Sequence, residues 1–123
     1  MKILYLAAVD PSESRDIGVL NKIEGQIKAL NNLGYTVDTV FYGLTKVFLN
    51  DKEIIGYNSK YKRRLYMYRD IYKKLNIESY KYIYIRYDTS DSLFLQFLKK
   101  IKRHMDKVIL ELPTYPYDEE RKN

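Results

Sequence analysis

Two short polar stretches near the end of the chain carry the side chains best suited to bind a ligand. The first, IRYDTSD, follows an apolar run and contains Arg86, Asp88 and Asp91. A guanidinium can make a forked contact to a carboxylate, a phosphate or a pair of sugar hydroxyls. The same arginine could instead pair with Asp88 or Asp91 and steady the loop. Both roles stay open from the sequence.

The second stretch, ELPTYPYDEE, joins acidic side chains to two tyrosines. Pro113 and Pro116 stiffen the backbone, and tyrosine rings offer flat, amphipathic faces that stack on sugars or pack under a loop. Simple packing is the alternative here. The candidates for lining a cleft in the two stretches are Arg86, Asp88, Glu111, Thr114, Tyr115 and Tyr117.

A third polar loop, VDPSESRDIG, follows the first apolar run of the chain and contains Asp10, Ser12 and Gly18. It lacks the glycine patterns of a dinucleotide fingerprint and of a P-loop. Gly18 could let the backbone N–H groups at a helix N-terminus approach a phosphate. It could equally be an ordinary glycine that helps the chain turn. Asp10 and Ser12 join the cleft candidates.

Apolar periodicity predicts the elements that would position these loops. Continuous or β-branched apolar runs predict strands, and apolar residues three or four apart predict helices. Gly34 stands where a helix C-cap glycine belongs, and Asn50-Asp51 suits a hairpin turn. The predicted strands are 3–9, 36–42, 81–87 and 107–112, with a hairpin or loop over 44–58. The predicted helices are 19–33, 59–76 and 89–105, the last opening with Ser and Asp capping residues.

This alternation predicts one α/β domain over residues 1–123, a Rossmann-like parallel sheet with crossover helices on both faces. In such sheets ligands bind beyond the carboxyl ends of the strands. Those ends are 9–18, 42–45, 86–91 and 111–117, which contain the candidate residues. A phospho-receiver is disfavoured because no lysine follows the last predicted strand.

The net charge of +6 lies in one predicted helix. The stretch 60–74 holds seven basic residues and one acid, whereas the remainder holds equal numbers of each. Its predicted apolar stripe is Tyr61, Leu65, Tyr68, Tyr72 and Leu75. The helix could present a solvated face, a membrane-surface patch or a nucleic-acid surface, and no RNA-binding signature favours the last. The membrane-surface candidates are Lys62, Arg63, Arg69 and Lys73.

Composition narrows the chemistry further. The chain has no cysteine, which excludes a disulfide scaffold and a thiolate site and suits a reducing cytoplasm. Its one histidine, His104, is predicted in the last turn of a helix, where a structural or surface role is favoured. No cluster of metal-ligating residues and no apolar run long enough to span a bilayer is visible. We therefore expect no metal, no cofactor and no catalytic residue in this chain.

The segments MKILYLA, KIEGQIKALNNLGYTVDTVFY, YIYIRYDTSDSLFLQFLKKIK and VILELPTYPYDEE together resemble the N-terminal domain of a GT-B glycosyltransferase. The likeness is to bacterial family 4 enzymes that build capsular, exopolysaccharide or other surface glycans. It covers essentially the whole chain. The pair IRYDTSD and ELPTYPYDEE carries most of it.

The resemblance implies one half of a GT-B fold. In such enzymes the N-terminal domain holds the acceptor, and a C-terminal domain, expected to be absent from these 123 residues, holds the nucleotide-sugar. By position, Gly18 would touch the donor phosphates. The loops with Asp10, Arg86, Asp88 and 111–117 would face a glycan or lipid-linked acceptor. The domain would be inactive alone.

The family also implies a cytoplasmic location, peripheral on the inner membrane, with docking through a basic, aromatic helix that residues 60–74 would supply. An exposed cleft face could mediate self-association. The competing hypothesis is a self-standing α/β module with a regulatory, interaction or nucleic-acid role. Donor sugar, acceptor and stereochemistry are not encoded in these residues.

Overall fold

One six-stranded sheet forms the centre of the protein. The computed structural model describes residues 1–86, 92–101 and 108–111, apart from the side chain of Arg15. The four strands predicted from apolar runs lie within two residues of their predicted bounds. The single histidine, His104, lies outside the described residues. The strands are β1 (Lys2–Ala7), β2 (Thr36–Tyr42), β3 (Lys46–Leu49), β4 (Lys52–Gly56), β5 (Tyr82–Arg86) and β6 (Val108–Glu111). The helices are α1 (Ile17–Asn32), α2 (Lys60–Lys74) and α3 (Ser92–Ile101).

The sheet is mixed, which corrects the prediction of a parallel sheet. The strand order is β4-β3-β2-β1-β5-β6, and β2, β1, β5 and β6 are parallel. The hairpin of β3 and β4 extends this sheet in the antiparallel sense. Asn50 and Asp51 have φ angles of 49° and 68°, as a two-residue hairpin turn requires. A turn this short can join only antiparallel strands.

The helices cover both faces of the sheet, as predicted. On one face, Ile23 of α1 packs against Tyr5, Ala7 and Phe41. On the other, α2 and α3 pack over Leu4 and a larger apolar core. Burying an aliphatic or aromatic side chain of this size contributes about 1.5–3 kcal/mol, so the two cores hold the layers together. The architecture is α/β and agrees with a Rossmann-like fold.

The end of α1 confirms the predicted glycine cap. Gly34 has a φ of +96°, a conformation that residues with a Cβ rarely adopt. The N–H of Tyr35 donates to the carbonyl of Leu30 at 3.1 Å, and the N–H of Gly34 donates to Asn31. These bonds satisfy carbonyls that the helix leaves unpaired and turn the chain into β2.

Helix α2 faces the core with a different stripe from the one predicted. Met67 and Ile71 are its buried residues, whereas Tyr61 and Leu65 are 73% and 53% exposed. The prediction was therefore wrong for Tyr61 and Leu65. Aromatic and aliphatic residues occur on several sides of this helix, and tyrosine tolerates a half-exposed boundary, so periodicity alone did not fix its rotation.

Candidate functional site

The strand topology places a switch point between β1 and β5. From β1 the chain crosses over α1 to β2 on one side, and from β5 it crosses over α3 to β6 on the other. The two connections therefore run to opposite sides along the sheet. Ligands of open α/β sheets bind at such a switch point.

Arg86 and Glu111 form an ion pair at this edge. They are register partners at the carboxyl ends of β5 and β6, and Nη1 of Arg86 donates to Oε2 of Glu111 at 2.9 Å. The side chain of Arg86 is 11% exposed and that of Glu111 is 26% exposed. The contact with Glu111 uses one of three guanidinium nitrogens and orients the fork, and Arg86 also lies in hydrogen-bonding contact with Tyr5.

Tyr84 and Gln26 hold Glu111 from two further sides. The Tyr84 hydroxyl donates to Oε1 of Glu111 at 2.6 Å, and Nε2 of Gln26 donates to the same oxygen at 3.2 Å. Oε1 of Gln26 in turn accepts from the buried Tyr5 hydroxyl at 2.5 Å. The rings of Tyr5 and Tyr84 are stacked, with centroids 4.8 Å apart. The network links β1, β5, β6 and α1 around the ion pair.

The network also fixes the protonation states of its members. Burial opposes ionisation of Glu111, but the hydrogen bonds from Tyr84 and Gln26 and the charges of Arg86 and Lys22 lower its pKa overall. Burial, with the nearby Glu111 charge, raises the pKa of Tyr5 to about 12. Burial and the hydrogen bond to Glu111 raise the pKa of Tyr84 as well. At neutral pH the carboxylate is ionised and both phenols are neutral.

Asp10 organises the loop after β1. Its Oδ1 accepts hydrogen bonds from the backbone N–H and the hydroxyl of Ser12, at 2.8 and 2.5 Å. Its backbone N–H donates to the Asp16 carboxylate at 2.9 Å. A Cβ on Gly43, in the turn after β2, would collide with the Asp10 carboxylate. Asp10 and Ser12 thus lie at the predicted edge of the sheet, held in a defined turn.

Gly18 lies in the first turn of α1, at the same edge. A Cβ added there would meet no atom within 4 Å. Packing therefore does not require glycine at this position. This arrangement is compatible with the predicted phosphate contact.

The four predicted membrane-surface cations have unequal environments. Lys62 and Lys73 are exposed on α2. Arg63 is half-buried: its Nε donates to the carbonyl of Leu44 at 3.1 Å, and its guanidinium lies over the ring of Tyr42. Arg63 therefore holds the turn between β2 and β3 against α2.

Arg69 is the fourth of these cations, and it pairs with Asp70 at 3.3 Å while its guanidinium lies over the Tyr66 ring. It also borders a groove of about 280 Å³ between α2 and α3, which Leu65, Tyr68, Phe97 and Lys100 help to line. This groove lies on the face of the sheet away from α1 and Gln26. It is separate from the Arg86–Glu111 pair.

Several predicted site residues lie outside the described part of the chain: Asp88, Thr114, Tyr115 and Tyr117, together with Asp91. The sequence interpretation missed the partner of Arg86, because it considered only Asp88 and Asp91. It also missed Tyr5, Gln26, Tyr84 and Gly43. The available signal was a tyrosine in each of two neighbouring predicted strands, Tyr5 and Tyr84, since a buried phenol usually needs a hydrogen-bond partner.

Within the described ranges, no group of three or more His, Cys, Asp or Glu side chains is arranged to hold a metal ion. The helices of these ranges are too short or too polar to cross a bilayer. A comparison of the chain with protein-family models, curated proteins and solved structures gives no significant match. The geometry at the carboxyl edge of the sheet is therefore the basis for a functional proposal.

Proposed function

We propose that this chain is the acceptor-binding N-terminal domain of a GT-B glycosyltransferase. The enzyme would transfer a sugar from a nucleotide-sugar to a surface-polysaccharide or lipid-linked acceptor. The observation that carries the proposal is the Arg86–Glu111 pair at the carboxyl edge, beside the switch point between β1 and β5. A fork of N–H donors fixed by a carboxylate suits sugar hydroxyls or a phosphate.

The roles of the chain's residues in this proposal are binding and positioning. Arg86 would contact the acceptor, and Glu111 would hold Arg86 in place through the contacts with Tyr84 and Gln26. The first turn of α1 at Gly18 would approach the donor phosphates, whose remaining contacts would come from a second Rossmann-like domain. Such a division of binding between two domains speeds transfer by bringing donor and acceptor together.

The test is sugar transfer by the product of the complete coding sequence. Purified protein is incubated with membranes from the producing cells and with a panel of labelled nucleotide-sugars. We expect label to enter a glycan or lipid fraction with one donor, and Arg86→Ala to reduce this incorporation. A coding sequence that ends at Asn123, or no incorporation with any donor, would overturn the proposal.

A second role, contact with an anionic membrane surface, is favoured by a specific observation on α2. Exposed Lys62 and Lys73 share this helix with Tyr61 and Leu65, which the core leaves uncovered. Cations beside exposed aromatic and aliphatic groups suit a lipid headgroup region, and each lysine contributes about 1 kcal/mol at such a surface.

Sedimentation with vesicles tests this role separately. The chain should bind vesicles containing phosphatidylserine and not those of phosphatidylcholine alone. Lys62→Glu/Lys73→Glu should weaken binding by about tenfold or more, whereas Lys28→Glu on α1 should leave it unchanged. Equal binding by all three proteins would exclude α2 as the contact. A salt-sensitive complex with single-stranded RNA, without vesicle binding, would favour the nucleic-acid module instead.

A further inference from the structure

Among the described residues, the charges at the carboxyl edge of the sheet do not sum to a positive value, although the chain carries +6. Arg86 is paired with Glu111 at 2.9 Å. Asp10, Glu13 and Asp16 add three carboxylates after β1, and Lys22 of α1 is a further cation whose charge acts on Glu111. The excess positive charge lies in α2, which packs on the opposite face of the sheet from α1. An anion therefore gains little net attraction at this edge.

The hydrogen-bonding groups at the same edge come in donor and acceptor types side by side. The guanidinium of Arg86 donates, and the carboxylate of Glu111, adjacent to it, accepts. A sugar hydroxyl both donates and accepts, so two neighbouring hydroxyls can satisfy such a pair together. A phosphate or a carboxylate only accepts, and it would meet the negative charge of Glu111.

We infer that the ligand group bound at Arg86 and Glu111 is a pair of neighbouring hydroxyls on an uncharged sugar, rather than a phosphate or an acidic sugar. This inference rests on the proposed function, because it names the class of acceptor that the Arg86–Glu111 pair takes. The ion pair provides the selectivity, since Glu111 supplies an acceptor for one hydroxyl and repels an anion.

The test follows the Nε–Hε signal of Arg86 by NMR in the isotope-labelled chain, with the signal assigned through Arg86→Lys. Matched ligands are titrated: methyl glucoside, galactoside and mannoside, the corresponding uronides, and inorganic phosphate. Each uronide differs from its glycoside by one carboxylate in place of a hydroxymethyl group. We expect at least one neutral glycoside to shift the signal, at a concentration several-fold lower than its uronide or phosphate requires.

Removing the carboxylate charge should invert this preference. Glu111→Gln keeps the shape of the side chain, and we expect it to increase affinity for uronide and phosphate by at least about fivefold. Glu53→Gln is the control, because it removes one carboxylate charge on β4, where Glu53 pairs with Lys46. It should leave all affinities unchanged.

The outcomes separate this inference from the proposed function. If uronides or phosphate shift the wild-type signal at lower concentrations than the glycosides, Arg86 does bind a ligand, but the inference that this ligand is an uncharged sugar is wrong. If no ligand of any class shifts it, the acceptor role of Arg86 is wrong as well. If Glu111→Gln proves unfolded, the comparison of matched ligands on the wild-type chain still decides the class.

Discussion

Oε2 of Glu111 lies 2.9 Å from Nη1 of Arg86, across the ladder that joins β6 to β5. The two residues are 25 positions apart in the sequence, so the fold alone brings them together. The side chain of Arg86 is largely shielded from solvent in this contact. It therefore ties the last described strand to the sheet and sets the direction of the guanidinium.

This pair should contribute measurably to stability. In a double-mutant cycle with Arg86→Met and Glu111→Gln, we expect a coupling energy of about 1–2 kcal/mol. Hydrogen bonds between charged groups stabilise a protein more than hydrogen bonds between neutral groups do. The measurement is urea unfolding of the four proteins. Additivity within about 0.3 kcal/mol would show that the pair is not formed in solution.

Alkaline pH should destabilise the protein through its buried phenols. The pKa of Tyr5 is about 12 in the folded chain, against about 10 for an exposed tyrosine. The folded state thus keeps a proton that the unfolded chain releases. This stabilisation is complete below about pH 10 and is lost as the pH rises towards about 12, at up to about 1.4 kcal/mol per pH unit.

The corresponding measurement is the free energy of unfolding between about pH 9 and about pH 11. Tyr5→Phe should make this dependence shallower. Some dependence should persist, because burial also raises the pKa values of Tyr57, Tyr80 and Tyr84. If the free energy of unfolding of Tyr5→Phe falls with pH as steeply as that of the wild type, the Tyr5 phenol is not buried as described.

Two glycines in α1 separate a binding role from a structural one. Neither Gly18 nor Gly25 has an atom within 4 Å of an added Cβ. Gly25→Ala should stabilise the helix by about 0.5–1 kcal/mol and leave transfer unchanged. Gly18→Ala should not destabilise the fold, but its methyl group should raise the KM for nucleotide-sugar by about tenfold, as expected for loss of one hydrogen bond to a charged group.

Thermal unfolding and donor-dependent transfer by the complete gene product measure both effects. If Gly18→Ala transfers sugar with the donor KM of Gly25→Ala, then Gly18 has no role in phosphate binding.

Gly43 should be required by the loop after β1. A Cβ there would collide with the Asp10 carboxylate, so Gly43→Ala must displace either Asp10 or the β2–β3 turn. We expect a loss of about 1–3 kcal/mol. In an Asp10→Ala background the loss should shrink, giving a coupling energy of at least about 0.5 kcal/mol. Equal losses in both backgrounds, by urea unfolding, would contradict the contact.

The elements were largely predictable because their signals are local. Apolar runs marked β1, β2 and β5, Gly34 marked the end of α1, and Asn50-Asp51 marked the hairpin turn. The rotation of α2 was not predictable. Tyrosines on several sides of that helix give no single apolar face, and the core selected Met67 and Ile71.

The site was predictable only as a set of strand-end loops. Arg86 and Glu111 were both candidates, but their pairing depends on β6 lying beside β5. Gln26 is 85 positions from Glu111, and its role requires the register of α1 over the sheet. No local pattern encodes such a distance. The tyrosines in β1 and β5, Tyr5 and Tyr84, gave the one usable hint.

Arg86 is proposed to bind the acceptor, and the KM values for acceptor and for donor in Arg86→Ala test this proposal most directly. The complete gene product is assayed with the proposed acceptor, and Lys28→Ala, at an exposed residue of α1, serves as the control loss of a cation. We expect an acceptor KM raised by about tenfold or more in Arg86→Ala, with the donor KM unchanged. An unchanged acceptor KM, or an equal effect of Lys28→Ala, would show that Arg86 does not bind the acceptor.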